Sequence, residues 1–235
     1  MIQNIMTQAV DAANRQFETL DRVAQNVANI NTTGYKIKRF EQYIRPGGEV
    51  AGVERQDYSQ GSLMVSNREL DVAIDGPGFI PVTQPDGVTA FTRDGSFSKN
   101  RDGYLVTQYG DLVGEGIQLP VNYDKLQITA SGEVKALLPG KLEPTLLGKI
   151  KVVNFANPEG LQSAGYNKLL PTEASGEPQP TGENVALKQG MVERANVNVL
   201  YQIDQVLRLN AGVLSNMRIA KFTDEIYRQS VNLKQ

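Results

Sequence analysis

The sequence predicts an α+β fold, with long N- and C-terminal helices that pack as a coiled-coil-like element and a central, mostly antiparallel β-domain. Two observations favour helices at the ends. The first 30 residues contain no glycine or proline, and the run from Val199 to Gln235 is proline-free with a heptad-like apolar spacing. A third observation favours strands between them, because the middle is rich in glycine and in short β-prone runs.

The N-terminal helix is predicted from a 4-3 spacing of apolar residues that continues for about three heptads. A helix of about 29 residues would be about 44 Å long. It would end in the segment 29–34, where short polar side chains precede a glycine. One helix cannot bury such a seam alone, so the spacing predicts a partner helix. The N-terminal seam consists of Met6, Val10, Ala13, Phe17, Leu20, Ala24 and Val27.

The C-terminal helix is predicted to follow Asn196-Val-Asn198 and to continue the same spacing, interrupted by Asn210 and Asp224. Further apolar residues outside the seam give this helix a wider apolar surface than one partner covers. The two seams could pack on each other within one molecule or against other molecules. The alanines of the first seam and the spare surface of the second favour contacts between molecules. The candidate residues of the C-terminal seam are Ile203, Val206, Val213, Met217, Ala220 and Tyr227.

The middle of the chain is predicted to form tight hairpins around four Asp-Gly pairs, at 75–76, 86–87, 94–95 and 102–103. Strands are expected beside these turns and again further along the chain. The candidates are 70–74, 79–83, 88–93, 96–98, 104–107, 126–129, 133–137 and 148–155.

The domain organisation follows from these elements. Residues 1–44 and 191–235 form a discontinuous terminal helical domain for assembly, and residues 66–170 form the central β-domain. Residues 45–65 are an outgoing linker, and the proline- and glycine-containing residues 171–190 are an irregular return segment.

Composition excludes several classes of function. The net charge of −2 lacks the basic excess that nucleic acids and anionic membranes attract. The sequence has no Cys and no His, which removes thiolate zinc sites and nucleophiles activated by histidine. No catalytic, cofactor-binding or metal-binding residue is assigned, and the chain is not expected to be an enzyme. There is neither a signal-peptide pattern at the start nor an apolar run long enough to span a membrane.

Several motifs, in order along the chain, resemble those of flagellar rod and hook proteins. The stretch from Ala24 to Lys36, AQNVANINTTGYK, is similar to the N-terminal signature of that family. LDVAIDGPGF, which begins at Leu70, and FTRDGSF, which begins at Phe91, resemble its entry to the β-domain and its next hairpins. The motif residues singled out are Asn26, Asn29, Asn31, Thr32, Gly34, Tyr35, Asp71, Gly76, Gly78, Phe79, Arg93, Asp94, Gly95, Asn196 and Asn198.

This resemblance implies a structural subunit of the bacterial flagellar basal-body rod. Such subunits polymerise into a tube that transmits torque from motor to hook, with the terminal helices inside and the β-domain further out. The implied partners are copies of the chain, neighbouring rod and hook proteins, the flagellar export apparatus and the surrounding ring bushing. The implied location is the basal body, crossing the periplasm, after export without a cleaved signal.

Two alternatives remain at this point. One is a hook or hook-junction subunit, and the other is a coiled-coil scaffold unrelated to flagella. After Asn198 the helical period continues, but the acidic pair and the Gln-Arg-x-aromatic segment typical of the family are missing. Proximal and distal positions in the rod both stay open.

Overall fold

A computed structural model of the chain describes residues 2–46, 50–182 and 184–232. Its helices are α1 (Ile2–Ala28), α2 (Val199–Asn232) and a 3-10 turn at Pro158–Gly160. The strands are β1 (Lys38–Ile44), β2 (Val50–Gln56), β3 (Leu63–Val65), β4 (Val72–Asp75), β5 (Ile80–Thr83), β6 (Thr89–Thr92), β7 (Phe97–Lys99), β8 (Leu105–Thr107), β9 (Leu112–Val113), β10 (Lys125–Ile128), β11 (Glu133–Leu137), β12 (Thr145–Lys149), β13 (Val153–Asn154), β14 (Gln162–Ser163), β15 (Lys168–Leu170), β16 (Gln179–Pro180), β17 (Ala186–Gln189) and β18 (Met191–Glu193).

The chain divides into two compact units. The helical unit contains the described residues of 1–30, 37–57 and 197–235, and the β-unit contains those of 31–36 and 58–196. The α+β class therefore holds. The domain limits expected from the sequence stay a prediction, although the expected linker 45–65 contains β2 and β3.

The prediction of two long terminal helices in a coiled-coil-like pair is wrong. α1 has 27 residues and is clearly shorter than the 34-residue α2. By the rise of a helix their lengths are about 40 and about 51 Å. The helical unit also contains the β1–β2 hairpin, which a pair of helices does not include.

The hydrogen bonds between α1 and α2 are formed by polar side chains that do not belong to the predicted seams. Asn216 donates to the Gln16 side chain over 3.2 Å, and Asn26 donates to the buried Gln202 over 3.3 Å. These pairs show that the helices are antiparallel. Gly212 permits a close approach, since a Cβ there would lie 2.5 Å from the Gln16 amide nitrogen. Several members of the predicted seams are not buried by this contact, because Val10, Phe17, Ala24, Val27, Ile203, Met217 and Tyr227 stay exposed.

The β1–β2 hairpin is held to α1 by a side-chain amide. Asn26 donates from Nδ2 to the carbonyl oxygen of Lys38 over 2.8 Å, and its Oδ1 accepts from the Lys38 N–H over 2.9 Å. An apolar contact adds to this, because Val23, Ile37 and Ala51 are all buried. The amide supplies the donor and acceptor that the first residue of an edge strand leaves open.

The β-unit is built around a seven-stranded antiparallel sheet in the order β14-β15-β6-β5-β9-β8-β7. A three-stranded sheet, β10-β11-β12, and the two-stranded pairs β4–β17, β3–β18 and β13–β16 complete it. The main core contains fully buried aliphatic and aromatic side chains such as Ile74, Ile80 and Phe97. Most of the predicted strands are confirmed to within a few residues, whereas β1, β2, β3, β9 and the strands after β13 have no counterpart in the prediction.

Only two of the four Asp-Gly pairs close hairpins. Asp86-Gly87 joins β5 to β6, and Asp102-Gly103 joins β7 to β8, with positive φ at both glycines. Asp75-Gly76 instead follows β4, whose partner is β17, and Asp94-Gly95 lies between two strands that do not pair with each other. The hairpin prediction is therefore wrong for those two pairs, which serve the site described below.

The β-unit also contains a second, aromatic core. The Phe79 ring packs edge-on against Tyr58, with centroids 5.5 Å apart, and against Phe155 at 5.9 Å. Phe91 packs on Phe155 at 4.9 Å. Burial, with a smaller contribution from the negative charge of Glu159, raises the pKa of Tyr58 to about 12.

Tyr58 makes stability sensitive to alkaline pH. Its pKa is raised in the folded chain, so its contribution is complete below the ordinary tyrosine value of about 10. That contribution is lost as the pH rises through about 12. In urea unfolding measured across this alkaline range, the wild-type chain should lose stability more steeply than Tyr58→Phe. Parallel pH profiles for the two chains would contradict this assignment.

Candidate functional site

The site centres on a buried carboxylate between two cations. Glu193 at the end of β18 accepts from Lys36 Nζ and from Arg93 Nε, each over 2.7 Å. The three side chains are 0–3% exposed. The backbone N–H of Gly61 donates over 2.7 Å to Glu193 Oε1, the oxygen that also accepts from Lys36. A carboxylate so deep in the protein is tolerated only when its oxygens are fully hydrogen-bonded, as these are.

The Gly-Pro-Gly corner after β4 binds the far side of the Arg93 guanidinium. Arg93 donates from Nη1 to the carbonyl of Gly78 over 2.7 Å and from Nη2 to that of Gly76 over 3.1 Å. Both glycines have positive φ, 120° and 136°, a region that other residues rarely adopt. The corner therefore presents two carbonyls to a cation, which explains the motif better than a turn alone.

The same cluster holds together three chain segments at the places where the chain leaves the β-unit. Lys36 also donates to the carbonyl of Ser59 over 2.6 Å, and the Asn196 side chain donates to that carbonyl over 3.1 Å. The backbone N–H of Gly34 donates to the carbonyl of Glu193 over 2.8 Å. We call Lys36, Arg93 and Glu193, with these backbone partners, the exit clamp.

The signature segment 31–36 also docks against the loop after β6. The Thr33 hydroxyl donates to Asp94 over 2.6 Å, and Asn167 donates to the Thr33 carbonyl over 2.9 Å. Gly34 has φ +67°, and a Cβ there would lie 2.6 Å from the backbone of Arg93 and of Asp94. Glycine is thus required at this position for its backbone conformation and for the close approach.

The structure brings part of the predicted motif set together. Gly34, Tyr35, Gly76, Gly78, Arg93, Asp94 and Asn196 lie in or beside the exit clamp. Gly95 packs against the backbone of Val72, and Phe79 lies in the aromatic core. The Asp71 carbonyl accepts from the Gly190 N–H.

Other motif residues act locally. The Asn29 side chain donates to the Gln25 carbonyl one turn earlier, over 2.9 Å. Thr32 accepts from the Tyr35 N–H in the turn, where Asn31 is exposed. Asn198 caps α2, because its Oδ1 accepts from the Tyr201 N–H over 3.2 Å.

Two central residues were not among the sequence candidates. Lys36 was quoted only as the end of the signature, and Glu193 was not singled out. A signal for Glu193 does exist in the sequence, because this carboxylate follows two apolar residues in the short strand Met191–Glu193. An acid that is buried there needs a cationic partner. Its partners lie 157 and 100 residues away in the sequence, so no local pattern identifies them.

The helical unit carries exposed apolar side chains in rows. On α1, Phe17 is 50% exposed, and Val10, Ala24 and Val27 are exposed beside it. On α2, the exposed row is Leu200, Ile203, Leu207, Leu214 and Met217. We call these two sets the exposed rows.

The remaining seam residues are placed differently. Ala13, Leu20, Val206, Val213 and Ala220 are half-buried, and Tyr227 is exposed. The Met6 side chain lies outside the described part of the chain. The seams' role in assembly stays a prediction.

The described residues were compared with two further kinds of site, a metal-binding cluster and a membrane-spanning helix. Within 2–46, 50–182 and 184–232 no group of three or more acidic side chains is arranged to hold a metal ion. No helix in that part of the chain is long and apolar enough to cross a membrane.

Two family models match the chain. Residues 6–36 match "Flagella basal body rod protein", and residues 73–136 match "Flagellar hook protein FlgE/F/G D1 domain". The first match ends at Lys36, and the second contains Arg93 and the Gly-Pro-Gly corner. Together they define the class as axial structural proteins of the flagellum.

Curated relatives narrow the class from flagellar axial proteins to proteins of the basal-body rod. The flagellar basal-body rod protein FlgG of Buchnera aphidicola subsp. Baizongia pistaciae is 32% identical, over 88% of this chain and 90% of the relative. FlgG of Caulobacter vibrioides is 31% identical over 99% and 100%, and that of Borreliella burgdorferi is 31% identical over the whole of both chains. The chain belongs to the flagellar basal-body rod protein family. It is a structural subunit of the rod, located in the flagellar basal body.

Gly34→Ala should destabilise the chain by about 4 kcal/mol or more, because the added Cβ collides with backbone that cannot move aside. Gly87→Ala is a matched control. Gly87 also has positive φ, but nothing lies within 4 Å of its Cβ position, so only the backbone strain of about 1 kcal/mol applies. Urea unfolding of both variants measures the difference. Equal losses of stability would show that close approach at Gly34 does not matter.

Proposed function

We propose that the chain builds the rod by burying the exposed rows of α1 and α2 against copies of itself and against neighbouring rod and hook proteins. The observation that carries this proposal is the exposure of large apolar side chains along both helices, such as Phe17 of α1 at 50% and Leu207 of α2 at 64%. Scattered exposed apolar residues are ordinary, but regularly spaced rows on long helices are typical of interaction surfaces.

The energetics support association through these rows. Completing the burial of a half-exposed leucine or phenylalanine contributes on the order of 1 kcal/mol. The hydrogen bonds of the α1–α2 contact join Gln16 to Asn216 and Asn26 to Gln202, and the exposed rows are not covered by it. The intramolecular contact therefore leaves the rows available, and neighbouring subunits supply the missing apolar partner.

The resulting contacts are heterologous. In this proposal the α1 row of one copy packs on the α2 row of the next, while its own α2 row receives the α1 row of a third copy. Such a contact extends without limit when its rotation does not close a ring, and it then forms a helical filament. An open tube of this kind fits a rod that transmits torque.

The proposal includes further partners and one exclusion. Membership of the family supports passage through the flagellar export apparatus and a position inside the ring bushing. It also supports a purely structural role without catalysis, and the missing histidines and cysteines agree with that role. The relatives, which are rod proteins matched over nearly their whole length, favour the rod over a hook or hook-junction position.

Val27→Asp should leave the chain folded and abolish assembly. Val27 is exposed in the isolated chain, so a carboxylate there costs little before assembly and a great deal once it is buried. Sedimentation of purified chain over a concentration series measures assembly, and motility of a strain lacking the native subunit measures function.

Asn14→Asp is the control, since it adds the same charge at an exposed position of α1 beside the N-terminal seam. The control should assemble like the wild type. Normal assembly and motility of Val27→Asp would contradict the proposal. So would equal loss of assembly in both variants, because charge alone would then explain the effect.

A further inference from the structure

An apolar groove of about 720 Å³ lies in the β-unit. Its floor contains Pro81, Phe91, Ile150 and Val152, and one wall is formed by Pro178 and Pro180 of the return segment. This wall is held in place at Thr181, which donates from Oγ1 to the Val152 carbonyl over 3.1 Å. A groove with prolines on its wall and a hydrogen-bonded edge is preformed, so binding there costs little ordering.

The groove has a positive rim. Lys149 and Lys151 line it, and the described lining residues include no acidic side chain. Lys151 is paired with Glu115, and Lys149 lies across from Glu133 of β11 without forming a salt bridge to any residue that the structure describes. The occupant that suits this groove is therefore an apolar side chain next to a carboxylate.

The chain itself carries such a feature at the turn between β11 and β12. Leu142 at this turn is 100% exposed, and it is followed by the exposed Glu143. Pro139 and Pro144 on either side restrict the backbone, so the tip presents its leucine at a low entropic cost. Nothing within the described β-unit covers this leucine.

The tip and the groove lie at opposite ends of β12. Leu142 precedes the strand, while Lys149 is its last residue. The five residues of β12 alone span about 17 Å, so a tip does not reach the Lys149 end of the groove in its own molecule. A tip that enters the groove of another copy makes a contact between unlike surfaces, which repeats from copy to copy along the strand direction.

We infer that the Leu142–Glu143 tip of one copy docks in the groove of the next, with the leucine on Phe91 and Val152 and the carboxylate of Glu143 against Lys149. This contact rests on the proposed function, since it is a second contact between copies in the same assembly. It would give the β-units a lateral connection of their own, in addition to that made by the helices.

The test uses the absence of cysteine from the chain. Full-length Glu143→Cys is mixed with full-length Lys149→Cys under assembly conditions and then oxidised mildly. The inference predicts a disulfide-linked heterodimer on a non-reducing gel. The control mixture pairs Glu143→Cys with Arg101→Cys, an exposed site at the β7–β8 turn, and it should give no such dimer. Equal cross-linking in both mixtures would overturn the inference.

A charge exchange tests the same contact without cross-links. Glu143→Lys and Lys149→Glu should each raise the concentration needed for assembly, on the order of tenfold, and the double exchange should restore it. Circular dichroism melting checks that each variant is folded. If the single exchanges assemble normally while Val27→Asp does not, the groove contact is wrong and the helix-driven assembly stands. If Val27→Asp also assembles normally, the proposed function fails as well, and the groove contact loses its basis.

Discussion

The buried carboxylate of Glu193 is the constraint on which the rest of the structure depends. Removing a carboxylate and two cations from water is costly, and the cost is offset only while every partner stays in place. Here the partners come from three separate parts of the chain, through Lys36, Arg93 and the Gly61 N–H. The signature segment, the Gly-Pro-Gly corner and the last strand of the β-unit must therefore take up their positions together.

This arrangement separates two tasks. The β-unit has apolar cores of its own, and the exit clamp ties together the chain where it leaves that unit. The helical unit is joined by polar contacts such as Asn26–Gln202, and its apolar rows stay exposed. This arrangement suits assembly, because the free energy of burying the exposed rows is released only when a neighbouring subunit covers them.

The sequence predicted the class of fold, the position of α1 to within two residues and most strands of the β-unit, because these follow from local periodicity and turn chemistry. It did not predict which face of α1 meets α2. That face includes Gln16 and Asn26, whose polar side chains carry no hydrophobic signal. The exit clamp was not predicted for another reason. The sequence around Arg93 predicts a hairpin, and the residue pairs with Glu193, which lies 100 residues away. Long-range pairing of charges has no signature in a single sequence.

The role of Glu193 is tested by amide hydrogen exchange on the full-length Glu193→Gln variant. Wild type and the exposed-site variant Glu115→Gln are the controls. The substitution keeps the size of the side chain but leaves Lys36 and Arg93 buried without a counter-charge, a loss of about 3–5 kcal/mol. We expect the segments 31–36, 59–61 and 191–196 to lose protection together, while the seven-stranded sheet stays protected and Glu115→Gln resembles wild type. Unchanged protection in those three segments would contradict the central role of Glu193.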